Sequence, residues 1–234
     1  MSPEPLEPHL SFHAKHRLGT LQLEATFALT EPWTVLFGHS GSGKSTVLRI
    51  IAGLLNPASG KITVHGIPLL DTSTNINLSS HLRPIRWCGQ HAALFPHMTV
   101  RQNLAFAHPD DTTVHQALDH FHLGPLANKR PSQLSGGEAQ RTAVARAAIQ
   151  ARGRILLLDE PFTGLDTQIR LALIHDLKTW LGPTPVISVT HDVAEAIHLR
   201  AHVLRIADGR ILAQGPAVEV LAPDLATLRQ LLAP

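Results

Sequence analysis

The 234-residue chain is 44% hydrophobic and 16% charged, a balance typical of a folded protein, and its formal net charge is +2. Its basic residues are scattered and aromatic residues make up only 4%, which argues against a nucleic-acid partner, since such a partner needs basic residues gathered on one face. No apolar run approaches the roughly 18–20 residues that cross a bilayer, and residues 1–9 carry no basic-then-apolar leader, so we expect a chain that stays in the compartment where it is made.

The first 90 residues predict strands on either side of a glycine-rich loop. Residues 1–9 carry three prolines and predict a loose lead-in. Apolar residues alternate with mostly polar ones over residues 21–29, and residues 35–37 form a short buried run, so both stretches predict strands. The remaining predicted elements here are the loop at 38–43, an apolar helix at 47–55 that Asn56-Pro57 ends, and strands at 61–65 and 85–88.

A helical insertion is predicted in the middle of the chain. Its elements are helices near 100–107 and 113–121, a loop at 131–134 and an Ala-rich helix at about 137–151. A strand at 155–158, a helix whose apolar residues recur every four positions and a strand at 186–190 then alternate as in parallel α/β sheets. We predict one α/β domain over residues 10–222, with a helical subdomain at about 91–150 and a short helical tail at 223–234.

The single cysteine and the 16 histidines indicate no metal or disulfide chemistry. Cys88 has no second cysteine to pair with and stands in an apolar stretch, so we expect a buried, reduced thiol. His198 and His202 would share one face if their stretch were helical, but no His-Glu-x-x-His pattern and no nearby cysteine completes a site. We therefore expect ordinary core and surface histidines.

A phosphate-binding loop is the first functional motif. The eight residues from position 38 read Gly-His-Ser-Gly-Ser-Gly-Lys-Ser, which fits G-x-x-x-x-G-K-[ST] between a predicted strand and a predicted helix. Glycines let backbone N–H groups approach phosphate oxygens, Lys44 supplies charge to the β- and γ-phosphates, and the Ser45 hydroxyl is a typical Mg²⁺ ligand. The nucleotide-binding candidates are Gly38, His39, Ser40, Gly41, Ser42, Gly43, Lys44, Ser45 and Thr46.

Two acidic residues follow the apolar strand at 155–158. A buried strand of this kind would bring Asp159 beside the phosphate loop, where its carboxylate holds Mg²⁺ through water. Glu160 would lie on the other side of the strand end and polarise the attacking water. By itself a strand followed by Asp-Glu is a weak signal, so its weight depends on what else the chain carries.

Residues 134–138 read Leu-Ser-Gly-Gly-Glu and resemble the signature motif of ABC ATPases. Together with this motif, the strand followed by Asp-Glu becomes a strong signal. The other family motifs follow in order: Gln90 matches the Q-loop, residues 163–166 the D-loop and His191 the switch histidine. The resemblance covers about residues 10–222. It implies a P-loop NTPase fold, in which a RecA-like parallel or mixed sheet core carries an N-terminal antiparallel β portion and an ABC-type helical subdomain.

The resemblance also implies an ATPase that works as a homodimer around two ATP molecules with Mg²⁺. Ser135, Gly136 and Gly137 start a helix, and this anion-binding nest would close over the γ-phosphate held by the opposite copy. The implied catalytic residues are Glu160, His191 and Lys44; the metal ligands are Ser45, Gln90 and Asp159; Gln90 also contacts nucleotide, and Asp166 lies at the dimer interface.

The stretch from Gln90 to Leu104 looks like the importer type, in which it helps to form the groove for a permease's coupling helix. Residues 17–19, 37–41 and 94–100 further resemble molybdate-import ATPases.

The residue that would stack on adenine differs from the family pattern. Family members stack adenine on an aromatic residue before a glycine, whereas here Leu18 precedes Gly19, leaving Arg17 or His16 as substitutes. The implied partners are a permease and, indirectly, a substrate-binding protein, with the chain at the cytoplasmic face of the inner membrane.

Other functions stay open at this point. Sulfate or tungstate could replace molybdate as cargo, because the ATPase never touches the substrate. The sequence ends at Pro234, and we expect it to lack the C-terminal oxyanion-binding domain that molybdate-import ATPases usually carry. A soluble ABC ATPase is disfavoured because the chain has one cassette and no long coiled coil. A P-loop kinase or a nucleotide-binding scaffold would lack both the signature motif and a glutamate at position 160.

Overall fold

A computed structural model describes residues 7–232, with side chains to residue 227, so most of the predicted lead-in at residues 1–9 lies outside the described residues. The chain forms two compact units. The first unit contains the described residues up to Pro84 and those from Pro185 onward, and the second unit runs from Ile85 to Thr184. A helix at Ala222–Leu232 overlaps the tail predicted at 223–234, of which residues 233–234 lie outside the described residues.

The strands are β1 (Leu10–Leu18), β2 (Leu21–Leu29), β3 (Trp33–Phe37), β4 (Ser59–Val64), β5 (Ile67–Asp71), β6 (Ile76–Asn77), β7 (Ile85–Cys88), β8 (Ile155–Asp159), β9 (Val186–Thr190), β10 (His202–Ala207) and β11 (Arg210–Pro216). The helices are α1 (Lys44–Ala52), α2 (Val100–Ala107), α3 (Asp111–His120), α4 (Gly136–Ile149), α5 (Thr167–Leu181), α6 (Val193–His198), α7 (Ala217–Val220) and α8 (Ala222–Leu232). No described helix has the length and apolar character needed to cross a membrane.

An antiparallel sheet of order β2-β1-β4-β5-β6 forms one layer of the first unit. The predicted alternation over residues 21–29 is confirmed: Leu23, Ala25, Phe27 and Leu29 are buried, and the residues between them are exposed. Phe12 on β1 stacks on Phe27 with ring centroids 4.8 Å apart. One face of this sheet is therefore core, as alternating apolar residues require.

Parallel strands β10, β3 and β9 form the second sheet layer of the first unit, with β11 antiparallel to β10. All five residues of β3 and all five of β9 are buried, so neither strand alternates, as expected for central parallel strands. Their register pairs Phe37 with Thr190. The two strands therefore end side by side, at the same edge of the sheet.

Helix α1 ends three residues earlier than predicted. Gly53 takes a left-handed conformation, and its N–H and those of Leu54 and Leu55 bond to carbonyls of the last helical turn. The guanidinium of Arg83, which is only 1% exposed, donates to the carbonyls of Ile50 and Ile51 at 2.8 Å. A buried cation thus completes the C-terminus of the helix, where positive charge is favourable.

In the second unit, strands β7 and β8 pair in parallel, and helices α2, α3 and α5 pack against α4. The predicted bounds of α2 and β7 are confirmed. Helix α3 begins two residues before the predicted start because Asp110 caps it. Helix α4 begins at 136 instead of 137 because Ser135 caps it, and it ends at 149 instead of 151, with Gln150 as its C-cap. Side-chain caps therefore decide where these helices start.

Six elements of the first unit were not predicted: β5, β6, α6, β10, β11 and α7. Helix α6 ends at His198 and β10 begins at His202, so these two histidines do not share a helix. Cys88, in the second unit, is a buried free thiol as expected, and burial raises its pKa to about 12. The thiol is therefore protonated at neutral pH.

Two hairpins offer a matched test of backbone crowding. His65-Gly66 and Asp208-Gly209 each join two strands with positive φ at both turn residues, the type I′ pattern. A Cβ on Gly66 would meet nothing within 4 Å, whereas one on Gly209 would lie 2.3 Å from the Gln22 carbonyl oxygen.

We expect Gly66→Ala to lower the free energy of unfolding by about 1–2 kcal/mol, the cost of a left-handed alanine. Gly209→Ala should cost roughly 1–3 kcal/mol more, because the backbone at Gln22 must also move. Thermal and urea unfolding of both variants measures the difference. Equal losses would contradict the close packing of Gly209.

Candidate functional site

The phosphate loop of the first unit connects the end of β3 to the start of α1. Gly41 and Gly43 have φ of +80° and +106°, values that side chains other than glycine's rarely allow. A Cβ on Gly38 would lie 2.2 Å from the Ile206 carbonyl oxygen. The three glycines of the motif are therefore required by the backbone path itself. Ser45 and Thr46 follow in the first turn of α1.

Lys44 bends back over this loop. Its Nζ donates to the carbonyl oxygens of Gly38 and His39, both at 2.8 Å, and the residue is only 5% exposed. The Ser42 hydroxyl is buried and has no hydrogen-bond partner among the described residues. A cradle of backbone N–H groups with a cation at its rim is suited to binding an anion such as a phosphate.

The β10–β11 turn supports the phosphate loop through a contact that was not predicted from the sequence. The Gly209 N–H donates to the Ser42 carbonyl at 3.1 Å, and the Gly209 carbonyl accepts from the Glu24 N–H at 2.8 Å. A sequence signal was present: Asp-Gly is a strong hairpin dipeptide. It went unused because the flanking strands were not predicted.

His191 follows β9, next to the strand that leads into the phosphate loop. Its side chain is exposed. The turn after it is fixed by two short-range bonds: the Thr190 hydroxyl accepts from the Asp192 N–H at 3.1 Å, and the Asp192 carboxylate caps α6 through the Glu195 N–H at 3.1 Å. Within the first unit, the fold therefore places His191 at the same sheet edge as Gly38.

In the second unit, β7 and β8 bring the Q-loop and the acidic pair together. Cys88 pairs with Leu158, so Gln90 and Glu160 leave the strands side by side. Gln90 Nε2 donates to Glu160 Oε2 at 3.2 Å, and the Thr163 hydroxyl donates to the same oxygen at 3.3 Å. The contact between Thr163 and Glu160 was not predicted from the motifs.

Glu160 has a φ of +48°, a left-handed conformation that is strained for a glutamate. Asp159, one residue earlier, is the last residue of β8 and is only 5% exposed. The sharp turn between them separates the two carboxylates: one stays in the strand and the other lies half-exposed beyond it. Backbone strain of this kind is concentrated at functional sites.

The signature segment starts α4 with a capping box. Ser135 Oγ accepts from the Glu138 N–H at 3.3 Å, and Glu138 Oε2 accepts from the Ser135 N–H at 2.7 Å. Hydrogen bonding of the Glu138 carboxylate to the Ser135 N–H, and to a lesser extent to the Ser135 hydroxyl, holds the pKa of Glu138 below its usual range. A Cβ on Gly136 would meet nothing within 4 Å. The segment therefore presents a capped helix start with its first glycine open to an approaching group.

The signature segment also packs against the D-loop within the second unit. A Cβ on Gly137 would lie 3.1 Å from the Leu165 side chain, and Gln140 Nε2 donates to the Pro161 carbonyl at 3.1 Å. Asp166 is exposed and caps α5 through the Ile169 N–H at 3.0 Å. The D-loop and the signature are thus held as one surface.

The candidate residues are divided between the units. The phosphate loop and His191 belong to the first unit, and Gln90, Asp159, Glu160, the signature and Asp166 belong to the second.

The candidate adenine-stacking position lies at the end of β1. Leu18 is 51% exposed, and Arg17 Nε donates to the Gly19 carbonyl at 3.4 Å. As expected from the sequence, no aromatic side chain is present at this turn, where other family members stack adenine.

Two solved structures resemble this fold. The first, cbiO1 from Clostridium perfringens, described as part of the ABC transporter complex cbiONQ, has a TM-score of 0.79 at 24% identity and covers 95% of this chain and 94% of its own. The second, a dimeric ATP-binding cassette in a post-hydrolysis state bound to ADP and Pi, has a TM-score of 0.73 at 26% identity, with coverages of 89% and 98%. The predicted P-loop NTPase fold of the ABC type is confirmed.

Curated relatives are similar over most of this chain. The molybdenum import ATP-binding protein ModC of Rhizobium johnstonii is 36% identical over 230 residues, which is 94% of this chain and 64% of the relative. ModC of Mesorhizobium japonicum is 39% identical over 214 residues, 88% of this chain and 58% of the relative. The chain thus spans about three fifths of the length of these relatives.

The family model described as ABC transporter matches residues 26–163. This match runs from β2 through the phosphate loop, Gln90 and the signature to Thr163. Since it covers more than half of the 234 residues, the chain belongs to the ABC transporter family.

Proposed function

We propose that the chain is the ATP-binding and ATP-hydrolysing subunit of an ABC importer, acting as a homodimer around two ATP molecules. The observation that carries this proposal is Glu160: it is strained, directly follows the buried Asp159, and has one carboxylate oxygen bonded by Gln90 and Thr163. A glutamate held in this way suits activation of water. A nucleotide-binding scaffold has no need of it.

The phosphate loop is the proposed ATP site. Residues 38–46 would bind the phosphates through backbone N–H groups and through Lys44, which already lies over the loop. The unpartnered, buried Ser42 hydroxyl and the glycine conformations fit a group that fills the cradle. Gln90 would also contact the nucleotide.

Ser45, Asp159 and Gln90 fit a Mg²⁺ ion, because a hydroxyl, a carboxylate and an amide oxygen are the hard donors that this ion prefers. The burial of Asp159 fits a carboxylate whose charge is balanced by a cation when the site is filled. When bound, Mg²⁺ would neutralise charge that develops on the β- and γ-phosphates.

Hydrolysis would depend on three side chains of this chain. Glu160 would orient and deprotonate water, His191 would contact the γ-phosphate and stabilise the developing charge, and Lys44 would hold the phosphates. Thr163 would act as a positioning residue, because its hydroxyl donates to Glu160 Oε2 and so helps to fix the orientation of the carboxylate.

Dimerisation would complete each site with the signature of the opposite copy. The open start of α4 at Ser135, Gly136 and Gly137 supports an anion contact in trans. Asp166 would link the two sites across the interface. The solved cassette with ADP and Pi is described as dimeric, which supports the same arrangement here.

Molybdate is the proposed cargo, because the relatives named above are molybdenum import ATP-binding proteins. Sulfate or tungstate import is the alternative, and a soluble ABC ATPase is less favoured. We propose a permease and, through it, a substrate-binding protein as partners, with the chain peripheral at the cytoplasmic face of the inner membrane.

Phosphate release tests the dimeric hydrolase. With Mg-ATP, the rate per molecule should rise with protein concentration, because each complete site needs two copies. Glu160→Gln should bind ATP, lose at least about a hundredfold in kcat and form an ATP-dependent dimer in size-exclusion chromatography. A monomeric Glu160→Gln protein at saturating ATP would contradict the proposal, and an unchanged kcat would remove Glu160 from the chemistry.

Lys44→Ala tests the phosphate loop. Removing this cation should weaken ATP binding at least about tenfold, since hydrogen bonds to charged groups contribute about 1.5–3 kcal/mol. Lys61→Ala is the matched control: it removes the same charge from an exposed, ion-paired lysine in the same unit. Calorimetry should separate the two variants. Equal ATP affinity in both would argue against residues 38–46 as the ATP site.

Thr163 offers a test of positioning. Thr163→Val removes the hydroxyl that bonds to Glu160, and kcat should fall roughly threefold to tenfold with little change in KM for ATP. Thr163→Ser keeps the donor and should restore most of the rate. Steady-state kinetics of both variants measures this split. A serine variant as slow as the valine variant would point to packing instead of hydrogen bonding.

A further inference from the structure

Gln140 is a buried polar residue of α4 to which the proposed hydrolysis assigns no role. It lies about one helical turn after Gly136 and is only 7% exposed. Its Nε2 donates to the Pro161 carbonyl at 3.1 Å, and this hydrogen bond is buried. An apolar side chain of the same length would fill this space without an amide to satisfy, so the glutamine needs an explanation other than packing.

Pro161, the acceptor, lies in the turn that carries the proposed catalytic carboxylate. It directly follows Glu160, whose φ is +48°. Proline has no backbone N–H, so its carbonyl is the backbone group through which Pro161 can be hydrogen-bonded. The bond from Gln140 therefore attaches the residue next to Glu160 to a helix.

The strained turn has firm support on one side only. Before it, β8 is buried at all five residues. After it, Thr163 and Gly164 are exposed, and the N–H groups of Thr163 and Leu165 bond to the carbonyls of Glu160 and Phe162 at 3.3 Å, longer than the usual value of about 2.9–3.0 Å. A left-handed glutamate persists only where its surroundings hold it, so the bond to α4 is a main restraint on this side.

The other end of α4 carries a hydrogen bond of the same kind. Gln150, the C-cap residue, donates from its Nε2 to the Ala107 carbonyl at 2.9 Å and so joins α4 to the end of α2. It lies ten residues after Gln140, about 15 Å along the helix axis. The chain therefore contains a matched glutamine whose bond does not reach the turn after β8.

We infer that Gln140 is a positioning residue for hydrolysis: through its bond to Pro161, the signature helix holds the turn that orients Glu160. The inference rests on the proposed function, because the orientation of Glu160 matters only if this carboxylate activates water. It gives α4 two roles. The start of the helix would contact the ATP bound to the opposite copy, and one turn later the same helix would hold the glutamate of its own copy.

Phosphate release by Gln140→Met tests the inference. Methionine is similar in length, flexible and apolar, so it fills the space without adding an unsatisfied polar group. We expect kcat to fall roughly threefold to tenfold, with KM for ATP changed by less than about twofold. Gln150→Met is the control and should keep the wild-type kcat. Both variants should lower Tm by about 2–4 °C, which excludes lost stability as the cause of a difference in kcat.

The Glu160→Gln background separates positioning from general loosening of the fold. If Gln140 acts through Glu160, adding Gln140→Met to Glu160→Gln should leave the residual single-turnover rate unchanged within about twofold, because the carboxylate is already absent. Loosening of the whole site would instead slow both backgrounds by the same factor.

Amide hydrogen exchange examines the turn without nucleotide. Exchange over residues 160–166 should be at least about threefold faster in Gln140→Met than in the wild-type chain, because the turn loses its bond to α4. Gln150→Met should exchange over these residues at the wild-type rate. Mass spectrometry of peptides from this segment measures the difference.

Each outcome bears on the role of Gln140. A fall in kcat confined to Gln140→Met, absent in the Glu160→Gln background and accompanied by faster exchange over residues 160–166, would support it. A wild-type kcat, an equal fall in Gln150→Met, an equal factor in both backgrounds or unchanged exchange would overturn it. A wild-type chain that releases no phosphate would contradict the proposed hydrolase, and the exchange measurement would still decide whether Gln140 holds the turn.

Discussion

The parallel pairing of buried strands is the constraint on which the candidate residues depend. In the first unit, the β3–β9 register brings Gly38 and His191 to one sheet edge. In the second unit, the β7–β8 register does the same for Gln90 and Glu160. Each pair contains at least one strand of five buried residues, namely β3 and β9 in the first pair and β8 in the second. Such a strand cannot slip by one residue without turning its side chains over, so packing fixes the register of each pair.

Each of these strand ends needs an unusual backbone, and the chain meets that need in two ways. The phosphate loop uses glycine, since Gly41 and Gly43 adopt positive φ without a side-chain penalty. The turn after β8 uses a glutamate at a φ of +48°, which costs free energy that the buried strand before it and its bonds to Gln90 and Thr163 offset. The strained backbone thus occurs at Glu160, whose side chain we propose to activate water.

The sequence predicted the elements whose pattern is local. The alternation of β2, the buried run of β3 and the bounds of α2 and β7 depend on neighbouring residues only, and all four are confirmed. Strands β10 and β11 were missed, although Asp-Gly marks the turn between them, because neither shows the regular alternation of buried and exposed residues seen in β2. Pairing with β3 places β10 in the sheet, and such tertiary context contributes to strand formation beyond local propensity.

The same distinction applies to the site. Motif spacing identified Lys44, Asp159 and Glu160, because phosphate and carboxylate chemistry needs those residue types at fixed positions along the chain. It could not identify Gly209, whose importance comes from an N–H bonded to Ser42 and a missing Cβ against Gln22, residues far away in sequence. Nor could it identify Thr163 as a partner of Glu160, because that contact depends on the turn that the strained glutamate creates.

Helix capping connects local sequence to the second unit's surface. Ser135 caps α4 and Asp166 caps α5, and the two capped ends approach each other through Gly137 and Leu165. A Cβ at position 137 would lie 3.1 Å from the Leu165 side chain, which would have to shift by a few tenths of an ångström. The Gln140 amide also donates to the Pro161 carbonyl, so α4 contacts both the D-loop and the turn that follows Glu160.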